Sequence, residues 1–109
     1  MTECAIKKAD DELQIVYAEV YAPNIPDSQG EFMQPTTIRK MAHSFLAKGF
    51  VNQIDTNHDN VTNGSYVVES FIARKNDPDF IEDSWVVGVH VPDSDLWAKI
   101  KKGELNGFI

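Results

Sequence analysis

The chain carries a single cysteine, Cys4, so it can form no disulfide within itself, which fits a reducing compartment. It is also short of positive charge: 10 Lys and Arg stand against 17 Asp and Glu, for a formal net charge of -7. A nucleic-acid partner needs a basic patch to meet phosphate, so none is expected. The one dense basic group, Lys99, Lys101 and Lys102, falls in the last turn of a predicted helix, where cations suit the helix dipole. No apolar run approaches the roughly 20 residues that cross a bilayer, so no membrane partner is expected. The opening Met1-Thr2-Glu3-Cys4 lacks the basic and apolar regions of a signal peptide. A soluble intracellular protein is the expectation. There is no glycine-rich phosphate loop and no Gly-x-Ser-x-Gly elbow. Asp10, Asp11, Asp27 and Glu31 do not follow the spacing of a calcium loop, and no His/Cys cluster is present. The expectation is therefore no metal and no cofactor.

What is there fits one domain spanning residues 1–109. The 109 residues are 42% hydrophobic and 25% charged, enough for a core without metal or disulfide staples. Leu13 to Val20 is rich in β-branched and aromatic residues and predicts a strand. Tyr21 to Gly30 holds Pro23, Pro26, Asp27 and Gly30 and reads as a turn region. A helix follows, with Thr36 as its N-cap and Ile38, Met41, Ala42, Phe45 and Leu46 on one apolar face. Gly49 stops it. Phe50 to Ile54 suggests a short strand, and Asn63-Gly64 a turn. Tyr66 to Ala73 and Trp85 to Val91 predict two more strands around an acidic loop. Within that loop, Lys75 to Asp83 carries Phe80 as an aromatic tip; it reads as solvated, or as a partner contact. Asp93 or Ser94 caps a second helix, whose apolar face is Leu96, Trp97 and Ile100, and Gly103 ends it. Glu104 to Ile109 begins a further strand. The order β, α, β, β, β, α, β, with connections too short for crossovers, predicts an α+β fold with a largely antiparallel sheet. The sheet is expected as a small β-barrel or a curled sheet with two packed helices.

Three histidines and one strand carboxylate are the candidates for chemistry. His58, in Thr56-Asn57-His58-Asp59-Asn60, is placed to accept a proton, and a solvated loop histidine fits the same residues. His43 lies beside the apolar face of the first helix and reads as an edge residue. His90 alternates with Val89 and Val91 and reads as a hydrogen-bonded sheet histidine. Glu69 lies in mid-strand, so it either faces solvent or has a partner, since burying a lone carboxylate costs several kcal/mol. Strict alternation puts Val67, Glu69 and Phe71 on one face and Val68, Ser70 and Ile72 on the other. Ser70 thus lands on the more apolar face, a poor setting for a nucleophile.

Several segments, in order, resemble the XkdF-like phage serine protease family. They are Lys8 to Glu12 with Gln14 to Tyr17, the proline-rich Val20 to Met33, Asn57-His58-Asp59-Asn60, Val67 to Ile72, Asp77 to Ile81, Ser84 to Val89, and Lys101 to Phe108. That family is similar to the prohead proteases of tailed phages and to herpesvirus assemblin. The resemblance implies a small β-barrel serine protease with helices around it. It would cut scaffold and capsid-precursor proteins in the assembling head, in the host cytoplasm during infection, as a homo-oligomer. His58 becomes the general base, and Glu69 the residue that orients it. The family's serine nucleophile would follow Asn106-Gly107-Phe108, where this chain has Ile109 and ends. Two explanations follow from that position. Either the chain is truncated at its C-terminus, or the protein is a catalytically inactive head-associated or assembly protein on the same fold. Ser65, Ser70 and Ser84 stand in no nucleophile motif.

Overall fold

A computed structural model describes residues 4–11, 13–23, 32–49, 64–103 and 107–108. The expected strand over residues 50–54 lies outside them. The element order is β1 (Cys4–Asp10), β2 (Ile15–Tyr21), α1 (Pro35–Ala47), β3 (Tyr66–Ile72), β4 (Trp85–His90), α2 (Ser94–Lys101) and β5 (Gly107–Phe108). The strands form one sheet in the order β3-β4-β2-β1-β5, with every pairing antiparallel. The α+β class and the antiparallel sheet hold. The barrel does not: among the described residues β3 and β5 are separate edges and the sheet stays open.

β1 is absent from the sequence expectation. Its residues, CAIKKAD, mix lysines with small apolar residues, and the pairing with β2 shifts register between Ile6 and Lys8. That irregularity breaks the two-residue alternation by which a strand is recognised. Leu13 and Gln14, expected in the following strand, instead make the β1–β2 turn. Gln14 takes a left-handed φ of 55°, and the Asp10 carboxylate accepts the Leu13 N–H at 2.9 Å.

Both helices pack on one face of the sheet and close the main core. α1 starts two residues early: Gln34 is its N-cap, Pro35 follows, and Thr36 lies within the first turn. Proline suits this position because its missing N–H would have no helical partner there. Ile38, Ala42 and Phe45 are buried, whereas Leu46, assigned to the apolar face, is 50% exposed. Phe45 meets Trp85 edge-on, with ring centroids 5.4 Å apart. At α2 Asp93 is the cap, one of the two residues expected: its carboxylate accepts the Leu96 N–H at 2.9 Å. Trp97 is buried, and its indole N–H donates to the Asp11 carboxylate at 3.0 Å, where Lys101 also stands at 3.4 Å. Asp11 is thus the tie between the β1–β2 turn and α2.

β4 lies inside the sheet between β3 and β2 and is buried on both faces, so WVVGVH shows no alternation. On the face away from the helices lies a smaller cluster of Ala73, Phe80 and Val86 with Tyr17 and Phe71. Phe80 is therefore not a tip offered to a partner. It is 9% exposed and folds back against Phe71 and Tyr17. The loop that carries it is largely exposed, as expected of a solvated loop, and is also anchored. Asp77 accepts the N–H groups of Asp79 and Phe80 at 2.9 and 3.0 Å, and Glu19 accepts the Ile81 N–H at 2.7 Å and the Ser84 hydroxyl at 3.4 Å.

Candidate functional site

An open groove of about 790 Å³ runs between α1 and β3. Arg39, Ala42, His43 and Leu46 of α1 form one wall, residues 69–72 of β3 the other, and Arg74, Lys75, Asp77, Glu82 and Asp83 the end. The lining mixes both signs of charge with apolar side chains.

Glu69 reaches its position through a bulge. The β3–β4 register shifts between Val67 and Glu69, so Val68 is the extra residue. Val67 and Glu69 consequently lie on opposite faces, not on one. Val67 joins the helix-side core, while Glu69 sits exposed and opposite Gly88. Among the described residues its partner is a phenol. The Tyr17 hydroxyl donates to the Glu69 carboxylate oxygen Oε2. Tyr17 belongs to β2, which is not adjacent to β3, so the contact spans the intervening strand β4. Gly88 makes room for it. A Cβ there would stand 3.0 Å from the Tyr17 ring, 3.2 Å from the Glu69 Cβ and 3.3 Å from its Oε2. The hydrogen bond to Glu69, then burial, then the negative charges of Glu69 and Asp10 push the Tyr17 phenol up to about 12. It remains a proton donor across the neutral range.

His43 is exposed on the groove wall, as an edge residue. His90 is half-buried; its Nδ1 lies 3.1 Å from the Leu13 carbonyl and its ring meets Tyr66 edge-on. It is the hydrogen-bonded sheet histidine expected. Ser70 is on the apolar face as expected, and its hydroxyl accepts the Trp85 indole N–H at 3.0 Å. Ser84 is fully buried with its hydroxyl on Glu19, and Ser65 is buried. Ser65 and Ser84 are shut away from solvent, and Ser70, half-buried on the groove wall, is engaged by the Trp85 indole.

His58 and Ile109 lie outside the described residues, as do Asp27 and Glu31. Gly107–Phe108 does have a place: its backbone pairs with Cys4 and Ala5 at the β1 edge. Glu69 and the end of β5 are therefore on opposite edges of the sheet, roughly 19 Å apart at ordinary strand spacing. The described elements do not bring them together. Tyr17 and Gly88 are the site residues that sequence reasoning missed. Gly88 inside an apolar run was the available signal, since a glycine in mid-strand often marks a close approach. Nothing in a single sequence links Tyr17 to Glu69.

Comparison with known proteins reaches nearly the whole chain. The Phage-like element PBSX protein XkdF of Bacillus subtilis (strain 168) is 37% identical over 109 residues, covering 94% of this chain and 38% of that protein. The YqbD protein of the same organism is 37% identical over 107 residues, covering 94% of this chain and 32% of its own length. The chain thus spans about a third of the length of the curated relatives it matches. No solved structure matches it significantly. A family model described as "Putative phage serine protease XkdF" matches residues 3–109, and this chain belongs to that family.

Proposed function

We propose that this chain is the histidine-bearing part of a phage head-maturation serine endopeptidase. It would cut scaffold and capsid-precursor polypeptides within the assembling head, in the host cytoplasm during infection, and act as several copies together. The observation that carries this reading is the family match across residues 3–109, which takes in Asn57-His58-Asp59-Asn60. In this reading His58 takes the proton of a serine nucleophile as it attacks the scissile carbonyl, and later returns it to the leaving amine. Glu69, already hydrogen-bonded by Tyr17, is the carboxylate that orients His58. Since Ser65, Ser70 and Ser84 are held in packing or hydrogen bonds, the reading places the nucleophile next to Asn106-Gly107-Phe108. For Glu69 to serve that nucleophile, the β3 and β5 edges must come together.

The test is a fluorophosphonate probe on the protein expressed from its full open reading frame. Labelling of a serine beside Asn106-Gly107-Phe108, lost in His58→Ala, is the expected result. No labelling, with stoichiometric co-purification with capsid or scaffold, would favour a catalytically inactive head-associated or assembly protein. Ile109 at the nucleophile position is the observation on that side.

A further inference from the structure

We propose that Tyr17 is a positioning residue for the Glu69 carboxylate, held to it across β4 in the gap left by Gly88. The proposal rests on the protease reading above, and it names a residue that the resemblance does not.

Three separate features converge on this contact. The bulge at Val68 turns Glu69 away from the core face that Val67 occupies and sets it opposite Gly88. Gly88 lies in the most buried strand of the sheet, where a β-branched residue would pack well, yet any Cβ would crowd both Tyr17 and Glu69. Tyr17 pairs with Gly88 from the other side and extends its ring over it to reach Oε2. Its ring is itself fixed, packed against Phe80 with centroids 6.4 Å apart and with Lys8 above it at 5.9 Å. An exposed glutamate on an edge strand has many rotamers, and a donor on a locked ring selects among them. The Glu69 carboxylate is thereby held at the β3 edge, on the sheet face away from the helices. A carboxylate that orients a catalytic histidine works only when it is itself held in place.

A cross-sheet tie that merely adds stability would show the same contact, so the test reads reactivity. Fluorophosphonate labelling of the full-length protein is followed as kinact and KI in wild type, Tyr17→Phe, Glu69→Gln, the double variant and His58→Ala. Tyr17→Phe is expected to lower kinact about tenfold with KI unchanged, as loss of a supporting hydrogen bond typically does. In the Glu69→Gln background it should cost nothing further, because Tyr17 acts only through Glu69. Unchanged kinact in Tyr17→Phe, or an equal loss in both backgrounds, overturns the assignment while leaving the protease reading intact. A wild type that does not label, or a His58→Ala that labels as well as wild type, overturns the protease reading instead. Should Tyr17→Phe fail to fold, ultraviolet titration of wild type against Glu69→Gln reads the pair directly. The Tyr17 ionisation near 12 should move down in Glu69→Gln, and an unmoved curve would sink the pairing.

Discussion

At the residue scale, the Tyr17–Glu69 pair makes stability depend on alkaline pH. The folded phenol ionises near 12 rather than at its ordinary 10.0. In the unfolded chain the proton leaves first, so above pH 10 the unfolded state binds fewer protons and stability falls as pH rises. The contribution is fully present below pH 10 and is lost by about 12. Urea midpoints measured across that window should fall more steeply in wild type than in Tyr17→Phe; parallel curves would refute the pairing. Asp11 works in the opposite direction. The Trp97 hydrogen bond, followed by Lys101, holds its carboxyl below the ordinary carboxylate range despite some opposing desolvation. Its support for α2 is therefore present at neutral pH and is lost only as pH falls through that lowered value.

At the scale of elements, the loop from β3 to β4 shows how a polar segment becomes structured. Ala73 and Ser84 close it with backbone hydrogen bonds, and Asn76 and Asp83 adopt positive φ within it. Glu19, only 9% exposed at its side chain, receives Ile81 and Ser84 from above and Lys7 at 3.6 Å from the side. Glu19→Ala would leave the fully buried Ser84 hydroxyl and the Ile81 N–H without that acceptor. The expected cost is about 1–3 kcal/mol, with faster amide exchange across residues 74–84, and Glu19→Gln should lose less because it keeps an acceptor. Exchange rates unchanged in Glu19→Ala would show that Phe80, Asp77 and the backbone closure hold the loop without Glu19.

At the scale of the whole molecule, α1, α2 and the helix-facing side of the sheet share one core cluster that includes both tryptophans, Trp85 and Trp97. Ile38 is fully buried within it. Ile38→Ala should cost about 2–5 kcal/mol and lower the unfolding midpoint by circular dichroism and by tryptophan fluorescence together. Separate transitions by the two probes would show that the helices unfold apart from the sheet. The net charge of -7 adds self-repulsion to this small core, so salt should stabilise the protein modestly.

The sequence by itself determined the α+β class, the antiparallel pairing, both helices and a cap for α2 at Asp93 or Ser94. Each follows from local periodicity, from turn residues or from connection length, which act within a few residues of one another. Membership of a phage serine protease family was likewise legible in ordered motifs. Tertiary structure alone decided the rest. The Val68 bulge reversed the face of Glu69, because one extra residue inverts a period-2 pattern downstream. Phe80 turned inward because Tyr17 and Phe71, distant in sequence, offered it an apolar surface. Tyr17 met Glu69 across 52 positions only because β2 and β3 both flank β4 at the one residue without a side chain. A strand's neighbours and its bulges are set by the packing of the whole sheet, and no local pattern encodes them.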